Sequence, residues 1–295
     1  MCWKEFRRDQ AEWQGETWTN AEWRLAQTDV HPLFGLSGVG ILNVFPDWMH
    51  TKHLGTDKTT YASALHILVY EIMPGSPEDN LDEIWSRCLT YYREHKIVDR
   101  YRNMKLGLFC KPSTPYSGFP KLRGKAVEVR NLGPPLSKIW GELMNPALPL
   151  HLQVAFLLKS SVKLEKMLRD NKALFRYPAA LSAEFLAEAN KYLQLSSSVA
   201  RSYNEAGRRL FDITTKHHIL WHAAASAQLL NPAKSWCYMG EDCMQHARRL
   251  AASSLRGTKP QRVGGKVLDK WARGFSFRFV PRKRWFRSKG ASSRV

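Results

Sequence analysis

The chain has 295 residues, 44% of them hydrophobic and 24% charged, enough for a sizeable core in one large domain or two small ones. No run approaches the roughly 18 apolar residues of a membrane span, no apolar signal segment follows Met1-Cys2-Trp3-Lys4-Glu5, and five scattered cysteines make no disulfide framework. The expectation is a soluble, intracellular, membrane-free protein whose formal charge of +19 attracts polyanions.

Residues 1–30, with Trp3, Trp13, Trp18 and Trp23 and no clean period, read as a loosely ordered leading segment. Residues 31–256 read as a helix-rich core. It begins with turns at His31-Pro32 and Gly38-Val39-Gly40, then the apolar run Ile41-Leu42-Asn43-Val44-Phe45, expected as a buried strand. A helix is expected from Thr59 to Met73, with Leu65, Leu68, Val69 and Ile72 on one stripe and Pro74-Gly75 as its stop. Ser76-Pro77-Glu78-Asp79 signals the next helix, because serine caps, proline fits the first turn and acids complement the dipole. A loop with Pro112, Pro115 and Pro120 follows, then helical patterns over 149–173, 181–207 and 207–230 and a shorter one from Gly240. Gly264-Gly265 is expected to set off the basic tail of residues 257–295.

From Arg256 onward, 13 Lys or Arg face a single acid, Asp269. Aromatics interleave these charges at Trp271, Phe275, Phe277, Phe279, Trp285 and Phe286, and the alternation from Phe275 to Val280 predicts a short strand. Stacking faces beside cations suit flexible or single-stranded nucleic acid. The expected contacts to DNA or RNA are Arg273, Arg278, Arg282, Lys283, Arg284, Trp285, Arg287 and Lys289.

Two stretches concentrate reactive side chains. In Asp47-Trp48-Met49-His50-Thr51-Lys52-His53, an acid closes an apolar run with a histidine three residues on, a pattern for a divalent-metal ligand at a strand end. The competing reading is a helix cap at Asp47, with His50 and His53 on the helix surface. Downstream, His218 and His222 lie one helical turn apart, and Cys237 and Cys243 offer further zinc ligands at a non-standard spacing; packed histidines are the simpler reading. Phosphate-loop, nucleophile-elbow and dinucleotide fingerprints are absent.

Together these stretches resemble the core of CACTA-type cut-and-paste transposases of eukaryotes, and more closely the related open reading frames multiplied in dinoflagellate genomes. Asp47-Trp48-Met49-His50-Thr51-Lys52-His53-Leu54-Gly55 is similar to the family's Asp-x-Met-His-x-x-Lys segment. Phe211-Asp212-Ile213 with His218 and His222 resembles its paired-histidine helix, and Trp236-Cys237-Tyr238-Met239-Gly240-Glu241 its Trp-Met-Tyr-x-x-Glu stretch. The resemblance spans residues 30–258. It implies a ribonuclease H-like sheet and metal-assisted strand transfer with Mg2+ or Mn2+, Asp47 serving as the second carboxylate, Glu241 as the third, and His218 and His222 as further metal-site candidates. The first carboxylate has no good counterpart. Asp29 is 18 residues before Asp47, too few for intervening strands, and Asp9 sits in a polar stretch.

The expectation is therefore a mainly α protein: a helical domain with a small remnant of a ribonuclease H-like sheet and a basic C-terminal tail. It reads as an N-terminally truncated, catalytically inactive, transposase-derived nucleic-acid-binding protein that holds no ion tightly, nuclear, with a full-length relative as a candidate partner. A non-catalytic helical DNA- or RNA-binding protein unrelated to transposases is the alternative.

Overall fold

The computed structural model describes residues 45–279, which form eight α-helices and no strand. The mainly α expectation holds. Of the run Ile41–Phe45, expected as a strand, only Phe45 is described and it is in no regular element; Ile41–Val44 lie outside the described residues, as do the leading segment and residues 280–295. Two compact units divide the chain between Cys237 and Tyr238, nearer the N-terminus than the change in charge at residue 256.

In the first unit, α1 spans Asp57–Ile67 and continues without a break from wide π-type turns at Met49–Thr56 into another at Leu68–Ile72. It is the central helix: between Thr59 and Val69 every residue is buried. A helix sunk on all sides is ordinarily apolar all round. This one carries threonines, serine, tyrosine and histidine, and partners meet them. The Thr59 hydroxyl donates to the Thr56 carbonyl at 3.0 Å, Ser63 accepts the Phe211 N–H at 2.8 Å, and His66 Nε2 donates to the Pro115 carbonyl at 3.1 Å. The helix begins well before Thr59, because its polar first turns are buried by partners distant in sequence.

The surrounding helices follow their local signals. In α2 (Pro77–Glu94), Ser76 caps by accepting the Asp79 N–H at 3.2 Å, and Leu81, Ile84, Cys88 and Tyr92 turn inward at helical spacing. The proline-rich connection after it is irregular, as expected, apart from a short 3-10 turn at Leu106–Leu108. Helix α3 (Ala126–Leu143) contains Pro134 and Pro135 in its interior and has no counterpart among the expected elements. Helices α4 (Pro149–Asp170) and α5 (Ala179–Glu205) pack along each other, and α6 (Thr215–Ala225) packs on α5 and on the wide turns before α1.

The second unit pairs α7 (Tyr238–Leu255) with α8 (Pro260–Phe279). Two expectations are corrected here. Phe275–Phe279 is helical rather than a strand, and Gly264-Gly265 lies inside α8 rather than in a linker. The helical period of Val263, Val267, Leu268 and Trp271, within a helix of twenty residues, outweighs alternation over six, because extending a helix costs far less than starting a new element.

Candidate functional site

The wide turns that lead into α1 open with an acid, Asp47, and an ionic network runs from them into the centre of the first unit. Asp47 caps the helix: its Oδ1 accepts the Met49 N–H at 2.9 Å, while Oδ2 accepts the His50 Nδ1–H. The cap expectation holds for Asp47. It fails for His53, which is buried rather than on the surface. Partial burial would raise the Asp47 pKa, but bonds from His50, Cys237 and Met49 hold it below the ordinary aspartate value. Trp48 anchors this corner, fully buried with its indole N–H donated to Glu165 Oε1 at 3.0 Å.

Five residues on, Lys52 is completely buried. Its ammonium donates to both Asp57 oxygens at 3.0 and 2.8 Å and to Ser161 Oγ at 2.8 Å, with Glu165 at 3.4 Å. The wide turn makes this possible: Asp57 N–H bonds to the Lys52 carbonyl, so residues five apart share a face. Ser161 gives its proton to Asp57 at 3.0 Å, which leaves Tyr61 to donate to Ser161 at 2.8 Å. His53 Nε2–H donates to Glu165 at 2.9 Å. Burial by itself would raise the Glu165 pKa; His53 and Lys52 overcome it and hold this carboxyl far below its usual range. Burial raises the Asp57 pKa against the pull of Lys52; at Lys52 burial is the largest single influence and acts downward, but Asp57, Tyr61 and Glu165 together raise the pKa well above the ordinary lysine value, so the ammonium stays charged.

Helix α6 closes over the wide turns. Lys216 Nζ donates to the His50 carbonyl at 2.8 Å and to that of Leu54 at 3.2 Å. Gly55 leaves room for this approach, since a Cβ there would lie 2.6 Å from Lys216 Cδ. On the same helix His218 and His222 face each other, Nε2 to Nε2 at 2.9 Å, and burial lowers both pKa values, keeping the pair neutral.

The chain returns to Asp47 from the far end of the unit. Ser235 Oγ–H donates to the Pro46 carbonyl at 2.9 Å, and Cys237 N–H to Asp47 Oδ1 at 3.1 Å. Asp47, His50 and Cys237 thereby present one ligand atom each, all within 4.8 Å of one another. The zinc expectation groups Cys237 with His218 and His222; neither three-donor group among the described residues includes that pair. Glu241 stands exposed in the first turn of α7, in the second unit. Arg273 is exposed on α8, and Arg278 belongs to the same helix. Arg282, Lys283, Arg284, Trp285, Arg287 and Lys289 lie outside the described residues, as do Asp9 and Asp29.

Mg2+ and Mn2+ favour shells of oxygen ligands. Within the first unit, the side chains converging on Asp47 are an imidazole and a thiol, so this donor set does not fit the ion implied by the resemblance.

No described helix is long and apolar enough to cross a membrane. Comparison with protein-family models, curated proteins and solved structures gives no match to this chain.

Proposed function

We propose that the chain is a transposase-derived nucleic-acid-binding protein that does not itself cut or join strands, and that α8 holds the nucleic acid. The observation that carries this reading is the spacing of Arg262, Lys266, Lys270 and Arg273. At 3.6 residues per turn these four cations fall within about 80° of arc and extend along about 16 Å of helix. Arg273 pairs with Asp269 at 2.7 Å, while Lys270 and Lys266 donate to neutral oxygens of Ser253 and Thr258. The stripe therefore keeps most of its charge for phosphates. Arg248 and Arg249, exposed on α7, add to it.

A second cationic surface in the first unit favours the same class of partner. Lys58, Lys111, Lys121 and Arg123 line an open groove of about 420 Å³. Burial first, then the nearby Lys121 and Lys216, lowers the Lys58 pKa, as expected where positive charges crowd.

The descent rests on the resemblance, and the helical interval between Asp47 and Glu241 is what an inserted helical domain in such a core requires. The ribonuclease H-like remnant, the nuclear location and pairing with a full-length relative belong to the same proposal. Neither Asp9 nor Asp29 suits, by its place in the sequence, the first carboxylate that a two-ion clamp on a phosphodiester requires.

The test is fluorescence anisotropy with duplex DNA, single-stranded DNA and RNA over a salt series. Substituting Arg262, Lys266, Lys270 and Arg273 together by Gln should weaken binding about tenfold or more. On duplex the salt slope should fall by roughly 0.9 for each phosphate that is no longer neutralised. Equal affinity and slope in the variant would refute the assignment to α8.

A further inference from the structure

We infer that Asp47, His50 and Cys237 form a binding site for a thiophilic divalent cation of the zinc type, with one coordination position open to solvent. The inference does not depend on nucleic-acid binding, and it departs from the oxygen-ligated ion that the resemblance implies.

Geometry is the first argument. Zn–N, Zn–O and Zn–S bonds of about 2.0–2.3 Å in a tetrahedron place ligand atoms roughly 3.3–3.8 Å apart. The three donor atoms already lie within 4.8 Å of one another, so closure needs side-chain rotations and no refolding. The two chain segments, 190 residues apart, are held together without the ion by the bonds from Ser235 to Pro46 and from Cys237 N–H to Asp47. Those contacts also orient the carboxylate. Oδ1 is engaged by the Met49 and Cys237 backbone N–H groups, as the outer oxygen of a metal-bound carboxylate often is, and Oδ2 faces His50.

Charge is the second. An aspartate, a thiolate and a neutral imidazole cancel the two charges of the ion. On binding, the Cys237 thiol releases its proton to solvent and its sulfur lone pair forms the metal bond. The hydrogen bond between His50 and Asp47 opens, and the imidazole proton moves to Nε2 so that Nδ1 ligates. One proton leaves per ion, and affinity therefore falls as pH falls. Asp47 and His50 are partly buried and Cys237 is exposed, which leaves an approach for the ion and room for a water as fourth ligand.

The other three-donor group, His53, Asp57 and Glu165, is a useful contrast. There the Lys52 ammonium already sits against both carboxylates and supplies the positive charge. At Asp47 the described hydrogen bonds come from Met49, His50 and Cys237, while Lys216, whose charge also feels Asp47, donates to the carbonyls of His50 and Leu54.

The experiment is titration of the metal-free, reduced full chain with Co2+, followed by electronic spectroscopy, then displacement by Zn2+ with proton release measured in weak buffer. A thiolate-to-cobalt charge-transfer band and about one proton per ion are expected. Cys237→Ser should abolish the band, and His50→Gln should weaken Zn2+ binding about tenfold or more. Cys243→Ser, the control for the neighbouring thiol, should leave both unchanged. Circular dichroism identical to the parent protein verifies that each variant is folded; Cys237 is exposed, so its replacement leaves the core intact. Absence of the band, its survival in Cys237→Ser, its loss in Cys243→Ser, or displacement of Zn2+ by a modest excess of Mg2+ would each overturn the assignment. Anisotropy with nucleic acid is unaffected by any of these outcomes, so the two proposals fail separately.

Discussion

Lys52 in the first unit and Lys266 and Lys270 in the second are the same residue type put to opposite uses. Lys52 is wholly buried, and its ammonium meets Asp57, Ser161 and Glu165. Lys266 and Lys270 stand on a largely exposed helix and, among the described residues, donate to neutral oxygens of their own unit. In water an ammonium costs little and binds weakly; in a low-dielectric interior it is costly unless matched. A lysine in the core therefore dictates what surrounds it, whereas lysines on α8 leave their charge available to a partner.

The comparison breaks most visibly at Lys52. Lys52→Met leaves Asp57 buried without its counter-charge and should lower unfolding free energy by about 3–5 kcal/mol in denaturant titration. Lys52→Met combined with Asp57→Leu should recover most of that loss. A single variant as stable as the parent would mean that the network is not closed as described.

A second test concerns pH. Burial depresses the His217 pKa to about 4 from 6.5, so the folded state holds this imidazole neutral where the unfolded chain protonates it. A depressed histidine favours folding above the unfolded value, and the benefit is lost as pH falls from 6.5 towards 4. For His217 the loss across that window is roughly 3 kcal/mol at 1.36 kcal/mol per pKa unit. His217→Gln should flatten the stability profile there, and an unchanged profile would place the sensitivity elsewhere. Buried His66 adds to the same acid weakness, as does Glu165 once the pH falls below about 4.5.

The smallest expected effect lies in the second unit. Gly264 and Gly265 sit inside α8 with open space where a Cβ would stand. Replacing each by Ala should raise the melting temperature of that unit, each worth about 0.5–1 kcal/mol. A fall on substitution would argue that α8 is not helical at these positions.

What was legible in the sequence was local. The Ser76-Pro77 start and the long apolar periods of α4 and α5 carry their own signals within a few residues. Helix α3 does not, because Pro134 and Pro135 remove the N–H donors for the Arg130 and Asn131 carbonyls and read as breakers. What sustains it is tertiary: Leu132, Gly133, Pro135, Leu136 and Trp140 are buried, and Gly133 lets Tyr61 approach so closely that a Cβ would lie 2.5 Å from its hydroxyl. Of the candidate site, Asp47 and His50 were visible three residues apart. Cys237 was visible as a reactive residue, but nothing local joins it to an acid 190 residues away, and nothing in Thr51-Lys52-His53 announces burial before Ser161 and Glu165 are in place.

That last separation bears on how the chain is made. The first wide turns of the central helix emerge early, while Ser161 follows Lys52 by 109 residues and the segment bonded to Asp47 by 190. At ~5–20 residues per second of synthesis, Lys52 waits about 5–20 s for Ser161 and longer for the closing segment. Until then the ammonium lacks the partners that make its burial tolerable. The central helix is thus synthesised well before the residues that make its burial tolerable.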